Sequence, residues 1–451
     1  MKKIFLMVTF AIAMSSCSLY KTYQRPQIQT DSLFRNISLD TTTMATMVWR
    51  DLFTDPQLQM LIELGLKQNS DLNIARLRVT EAQATLQAAR MAYTPSLAFT
   101  PQGTISSFDN VKASKSYQLS FSSNWELDIF GKLTNSKRAA KAAFEQSDAY
   151  RQAVQTQLIA VIANSYYMLL MLDSQADISA RTAINWAENV KTMRALMKAG
   201  KYNMAAVSQA EANRLSVESS LLLLRRQINE VENSLSVLLG QSAQSIKRGV
   251  LSTQNFPSQL YAGVPLQLLS NRPDVREAEF NLAQAFYYTN RARSAFYPNI
   301  SLSGAAGWVN GVGQAIVNPG KLLLSAVGSL AQPIFNKGLN KAQLKIAKAK
   351  QEEAKIAFQQ LLFNAGADVN NALVQWQTAR QQIVLDEQQI NALNTTVKST
   401  ELLMQYGNTT YLEVLTAKQY LLQAQLKQVS DCFSEIQGVI NLYHSVGGGL
   451  Q

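Results

Sequence analysis

From Asn135 to Ala199 no proline interrupts a helical pattern, and at 1.5 Å per residue such a helix is about 95 Å long. No single globular domain covers a rod of that length. A second rod runs from about Leu339 to Tyr406 and carries Ile383, Ile390, Val397 and Met404 at every seventh position. Each rod is followed by a return helix with heptad rows. In the first, Val217, Leu224, Val231 and Leu238 alternate with Leu221, Ile228 and Leu235. In the second, Leu415, Leu422, Val429, Ile436 and Tyr443 form one row, and Leu412, Leu426, Phe433 and Ile440 most of another. Rows with this spacing are the seams of antiparallel coiled-coil hairpins, turned here at Gly200 and Gly407.

The two rods belong to a duplicated unit. Arg90, Ala92, Tyr93, Pro95 and Leu97 match Arg293, Ala295, Phe296, Pro298 and Ile300, an offset of 298 − 95 = 203. Ile129, Phe130 and Lys132 match Ile334, Phe335 and Lys337 at 205, and Met197, Gly200 and Val207 match Met404, Gly407 and Val414 at 207. A period of this size is far too long for a solenoid. In each unit a helix (Asp71 to Ala92; Asp274 to Ala295) stops at a proline, and two strand-like segments then precede the rod.

Those segments alternate. Tyr117, Leu119, Phe121, Trp125 and Leu127 face one way, while Gln118, Ser120, Ser122, Asn124 and Glu126 face the other; Ile300, Leu302, Gly304, Ala306 and Trp308 repeat the pattern. Strands of about ten residues with one apolar and one polar face are what a membrane barrel requires. Four strands cannot close a barrel, and open edges are not tolerated in lipid. The chain must therefore supply part of a barrel and share it. Two copies give eight strands, whose interior side chains fill; three give twelve and a lumen. The stretches "WELDIFGK" and "AQPIFNKG" are then the corners where membrane strands become helices.

The N-terminus reads as a processing signal. Lys2 and Lys3 precede an apolar run from Ile4 to Met14, too short to span a bilayer, and Ser15 and Ser16 lead to Cys17. The "MSSC" end resembles the lipobox of bacterial lipoproteins, with Met14 where leucine is usual. An acylated Cys17 carrying more than one chain is a stable anchor. The other cysteine, Cys432, lies in a helical pattern as a buried packing residue, and with Cys17 lipidated the mature chain has no intramolecular disulfide. No apolar run of about 18 residues points to a membrane helix. The formal net charge is +11, or 11 − 2 = +9 without Lys2 and Lys3. Much of the excess follows the corners: Lys132, Lys137, Arg138 and Lys141, then Lys337, Lys341, Lys345, Lys348 and Lys350. For an exported chain, phospholipid headgroups are the natural anionic neighbour; a solvated helix face is the alternative.

Catalytic chemistry has little to stand on. His444 is the only histidine, which excludes a His-based triad with a spare base and a His metal cluster. The glycines of "GVGQA", from Gly311, sit in a loop and form no phosphate-binding motif. We expect no enzyme, no catalytic residues, no cofactor and no metal site.

Taken together, these residues resemble the TolC-like outer-membrane efflux channels, specifically their lipidated branch, from Cys17 to the C-terminus. "YQRP" follows the cysteine. "WRDLFTDPQLQMLI" carries Trp49, Phe53, Asp55, Pro56 and Leu58, and "LLSNRPDVREAE" carries Arg272, Pro273, Asp274 and Glu277. Both corners and the closing "SVGGGL" add to the set. The resemblance implies a mainly α chain with a membrane β-barrel. Three copies would form a twelve-stranded barrel, four strands per chain, continuing into a long periplasmic α-helical barrel with an equatorial domain. It also implies the role of exit duct in a tripartite pump, a homotrimer in outer-membrane lipid. The duct would receive small molecules from an inner-membrane transporter through a periplasmic adaptor, without nucleic acid.

Placed on the chain, these readings give a signal peptide at 1–16 and a lipidated and equatorial segment at 17–55. The first repeat occupies 56–240, with strands at 96–107 and 117–127, and an equatorial linker occupies 241–270. The second repeat occupies 271–445, with strands at 299–309 and 322–333, before a tail at 446–451. The resemblance puts adaptor docking at the hairpin tips, Gly200 and Lys201 in one and Gly407 and Asn408 in the other. It puts a periplasmic gate in "GNTTYLEVLTAKQ", with Leu412 at the apolar position. Thr416 occupies the acidic position usual in the lipidated branch, and Glu413 is the candidate to replace it. The first repeat offers only Ala206 at the equivalent place, so a trimeric ring would hold three charges rather than six. The rival readings are a channel for type I protein secretion, a passive porin, and a non-conducting structural lipoprotein that bridges the envelope. Nothing along the polar lumen clusters Met, Cys or His in favour of metal ions.

Overall fold

The computed structural model describes residues 20–26, 33, 43–107, 109, 113–257, 260, 268–310, 320–406 and 409–450. The duplication is visible in the element lengths. Helix α1 (Pro56–Gln68) leads into α2 (Ser70–Met91), strands β1 (Ser96–Ser106) and β2 (Ser114–Leu127), and helices α3 (Lys132–Lys198) and α4 (Met204–Leu238). The second repeat supplies α5 (Pro273–Ser294), β3 (Asn299–Asn310), β4 (Lys321–Ala331), α6 (Leu339–Gln405) and α7 (Tyr411–Ser445). Helices α3 and α6 each have 67 residues, and α4 and α7 each have 35. Strand β2 begins at Ser114, before the apolar alternation does, because its polar start still pairs with the end of β1. Strand β4 ends at Ala331, since Pro333 cannot donate to a ladder.

The chain divides into two compact units, one built from residues 77–148 and 277–360 with the N-terminal segment, the other from 29–76, 149–276 and 361–451. The first holds a four-stranded antiparallel sheet in the order β1-β2-β3-β4. The central pairing, β2 with β3, joins the two repeats, with Leu119 opposite Trp308 and Phe121 opposite Ala306. In the same unit Arg25 ties residues 20–26 to α5 through two bonds to the Glu279 carboxylate, at 2.7 and 2.6 Å. The Tyr23 ring meets Phe286 edge-on at 5.9 Å.

In the second unit the early motif closes the core. Asp55 caps α1 by accepting from the Gln57 N–H at 2.8 Å, with Pro56 at the first helical position. Its other oxygen accepts from the Tyr166 hydroxyl at 2.6 Å. Trp49, Phe53, Leu58 and Ile62 are buried there, as are Tyr166 and Tyr167. Arg272 is only 5% exposed. Its guanidinium donates to Asp274 at 3.0 and 2.6 Å, to Asp368 at 3.1 Å and to the Ser445 carbonyl at 3.2 Å. The two distant motifs, "RPD" and the C-terminal end, meet at this one side chain.

One expectation stands against a contrary signal, and one changes. An 18-residue window of α3 has mean hydropathy 1.2 and by composition alone passes for a membrane span. Ile159, Ile162, Ala163, Leu169 and Leu170 of this helix are instead buried in the chain's own core, so the apolarity serves packing. Cys432 is half-buried rather than buried, and burial, with Glu435, Asp431 and other nearby carboxylates, raises its thiol to about 11.

Candidate functional site

The sheet has two chemically distinct faces. Cross-strand partners share a face, so the register from Phe99 through Phe121 and Ala306 to Leu324 defines one of them. Leu97, Phe99, Leu119, Phe121, Trp125, Leu302, Trp308, Leu322, Leu324 and Leu330 lie on it, all exposed. A band of large exposed apolar side chains has no place in water and suits lipid. The opposite face carries Thr100, Gln102 and Thr104 on β1, with Ser116, Gln118, Ser120, Ser122 and Asn124 on β2 and Ser301 and Ser303 on β3. Glu126 is the charged residue there among the described ones on β2, and it pairs with Lys132 at 2.8 Å. Strand β4 departs from the pattern, with Leu323 and Val327 on the polar face. At Gly307 an added Cβ would lie 2.1 Å from the Leu119 carbonyl oxygen, so a side chain there has no room against β2.

The corner after β2 starts the long helix. Asp128 caps α3, one oxygen accepting from the Leu133 N–H at 2.7 Å. The other accepts from the Thr134 N–H at 2.7 Å and its hydroxyl at 2.6 Å. Three donors to one carboxylate at a helix N-terminus satisfy orphan N–H groups and complement the dipole. The basic residues that follow have local uses: the Lys137 ammonium lies 5.0 Å from the Tyr93 ring centre and Arg138 6.0 Å from that of Tyr287.

At the first hairpin tip Gly200 has φ +75°. Its N–H donates to the Met197 carbonyl and that of Lys201 to the Leu196 carbonyl, both at 3.0 Å, the paired bonds of a Schellman ending. Asn203 then starts α4, accepting from the Ala206 N–H at 3.0 Å. The Lys201 side chain is exposed. At the second tip Glu413 donates its N–H to the Thr410 carbonyl at 3.2 Å, and its carboxylate accepts from the Thr409 hydroxyl. Gly407 and Asn408 lie outside the described residues, as does Cys17. The two tips share a core in which Trp186, Met193 and Val207 meet Tyr411, Val414 and Leu415. The Tyr202 and Tyr411 rings are 5.9 Å apart. Burial raises the Tyr411 hydroxyl to about 12, with Tyr202 and Glu401 adding to the effect.

Leu412 is not part of that seam. It is 62% exposed, and Thr416 and Tyr420 extend the same uncovered stripe at i+4 and i+8. The core position is taken by Tyr411. The heptad row that ends at Ile440 includes Leu412, but at this tip Tyr411, Val414 and Leu415 take the covered side of the helix. Glu413 is exposed beside Leu412, and the Thr416 hydroxyl donates to the Leu412 carbonyl at 2.8 Å. Tyr202, Tyr411 and Tyr420 were not singled out from sequence. The 412–416–420 spacing is the signal for Tyr420; nothing local marks the other two.

A chain whose sheet has a lipid face and a polar face, with paired long helices in each of two repeats, matches a known protein family over most of its length. The outer membrane efflux protein model fits residues 61–241 and 264–448. The chain belongs to the outer membrane efflux protein family. An Escherichia coli cation efflux system protein, CusC, is 29% identical to it over 450 residues, 98% of this chain and 97% of CusC. The probable outer membrane lipoprotein SilC of Salmonella typhimurium is 28% identical over 451 residues, with 98% and 97% covered. A crystal structure of CusC superposes with a TM-score of 0.86 at 28% identity, over 96% of this chain and all of that one. This efflux protein is thus an outer-membrane channel, with a β-barrel wall and an α-helical tunnel. Its lipid face is the exposed apolar face of the sheet, and its lumen face is the one lined by serine, threonine and glutamine.

Proposed function

We propose that three copies of this chain close into the exit duct of a tripartite pump and pass small molecules or ions outward. The observation that carries the reading is the sheet itself: β1 and β4 are its edges, and neither edge can be left open in lipid. Three copies supply twelve strands and a lumen. The lumen face is mostly serine, threonine and glutamine, with Glu126, paired to Lys132, and Lys321 as charges among the described strand residues, and it suits passive conduction because it offers mainly neutral hydrogen bonds. An inner-membrane transporter and a periplasmic adaptor deliver that cargo. The adaptor docks at the tips around Gly200, Lys201, Gly407 and Asn408. Leu412, Glu413 and Thr416 form the periplasmic gate, and acylated Cys17 anchors each chain. Support for transport and for the anchor comes from the relatives, CusC being a cation efflux system protein and SilC a probable lipoprotein.

Planar-bilayer recording of the purified protein tests the duct. Discrete conductance steps from a trimeric preparation are expected. Insertion without conductance would leave the envelope-bridging lipoprotein as the reading. Labelling with radioactive fatty acid tests the anchor: Cys17→Ser should lose the label and keep its fold, and equal labelling of both proteins would remove Cys17 from the account.

A further inference from the structure

At the start of β3 the first unit contains a pocket of about 530 Å³, lined among others by Tyr20, Lys21, Phe286, Asn290, Arg293 and Tyr297. Its charged groups are donors only, Lys21 and Arg293. Asn290 is 1% exposed, and its Oδ1 accepts from the Arg293 guanidinium at 3.0 Å. The amide nitrogen at the other end of that side chain is buried without a partner, and so is the Tyr20 hydroxyl. A buried donor left unmade is costly, and here two lie in one pocket beside two cations. None of the described lining residues is acidic, so the missing group is an acceptor with negative charge.

Position narrows the anion. Asn290 and Arg293 end α5, and exposed Phe296 and Tyr297 lead directly into β3. Strand β3 crosses the bilayer, and aromatic side chains at a strand end mark the headgroup layer. The anion of that layer is phosphate, for which an arginine fork and a lysine are suited donors. Phe286 supplies an apolar wall for the glycerol portion.

We propose that this pocket binds the phosphate of a membrane phospholipid, with Arg293, Lys21, the Asn290 amide and the Tyr20 hydroxyl as its donors. One lipid per chain would then be held at the periplasmic foot of the barrel. The proposal needs only the outer-membrane position of the channel and is independent of the pump partners and the gate.

Native mass spectrometry of the delipidated, assembled channel, titrated with phosphatidylglycerol or with a diacylglycerol of the same chains, provides the test. The expected result is tighter retention of phosphatidylglycerol, up to one per chain. Arg293→Gln should weaken it roughly tenfold, the loss of one charge-assisted contact. Arg90→Gln, the matching change in the first repeat, should leave it unchanged. Lys21→Gln, at an exposed side chain, repeats the measurement should Arg293→Gln fail to assemble. Competition by inorganic phosphate would identify the phosphate as the recognised group. Binding of inorganic phosphate without any lipid preference would make this a free-anion site and overturn the proposal. Equal retention of the two lipids, or equal effects of Arg293→Gln and Arg90→Gln, would overturn it too.

Discussion

Phe130 stacks on Tyr297, ring centres 5.2 Å apart and planes 13° from parallel. The corner that ends β2 thus rests on the residue pair that leads into β3, and one repeat is pinned to the next. Phe335, the equivalent of Phe130 at the offset of 205, is 85% exposed in the single chain. Its counterpart by the same duplication is the stretch around Thr94 of the next copy, since 297 − 203 = 94. Phe335→Ala should therefore weaken assembly, by about 2–3 kcal/mol per contact, while leaving helicity intact. Thermal dissociation of the trimer in mild detergent reads this directly. An unchanged dissociation temperature would mean that the ring does not seat on a neighbour.

Gly307 permits a close approach of β3 to β2, its absent Cβ lying 2.1 Å from the Leu119 carbonyl oxygen and 2.6 Å from Ser120 Cα. Both obstacles are backbone, so neither can swing aside. Gly307→Val should lower folded yield and destabilise the barrel by about 1–3 kcal/mol. Gly103→Val is the control, because nothing lies within 4 Å of its Cβ position. The two variants are compared by barrel yield after refolding into detergent.

Arg272 should respond to both mutation and acid. Burial alone would raise the Asp274 carboxyl, but the bonded Arg272 guanidinium outweighs it and holds the pKa below the ordinary value. A carboxylate depressed in the folded state contributes stability above its unfolded value of about 3.9. That stability fades as pH falls through the lower folded value. Arg272→Met leaves the carboxylate unpaired and should cost about 3 kcal/mol at pH 7, with much less lost near pH 3. Denaturant melts at the two pH values check the difference. A penalty independent of pH would mean that Arg272 acts through packing alone.

At the gate, Leu412→Ala should raise resting conductance, because the side chain is exposed rather than held in the seam. Glu413→Gln should reduce cation selectivity, since close carboxylates attract cations into a pore. Single-channel recording distinguishes the two effects. Selectivity unchanged by Glu413→Gln would remove this carboxylate from the constriction.

For docking, cysteines replacing Lys201 and Asn408 should each cross-link to the adaptor in cells. The open space around Gly200 and the exposed Lys201 side chain make the first tip reachable. Absence of product at both positions, at normal expression, would count against tip docking.

Periodicity carried most of the architecture in the sequence alone. The proline-free rods, the alternation from Tyr117 to Leu127 and the offsets of 203 to 207 are local or internally repeated signals. They follow from 3.6 and 2.0 residues per turn and need no knowledge of neighbours. Tertiary structure decided whatever depends on which face a neighbour covers. Leu412 belongs to a heptad row on paper, yet Tyr411, Val414 and Leu415 are the residues that the first hairpin covers. Arg272 and Asp274 are two residues apart in sequence, but Asp368 and Ser445 meet Arg272 from 96 and 173 residues away. Two like corners became unlike in the same way: Phe130 is covered within the chain and Phe335 is not, since duplication repeats residues but only the first repeat has the second beside it.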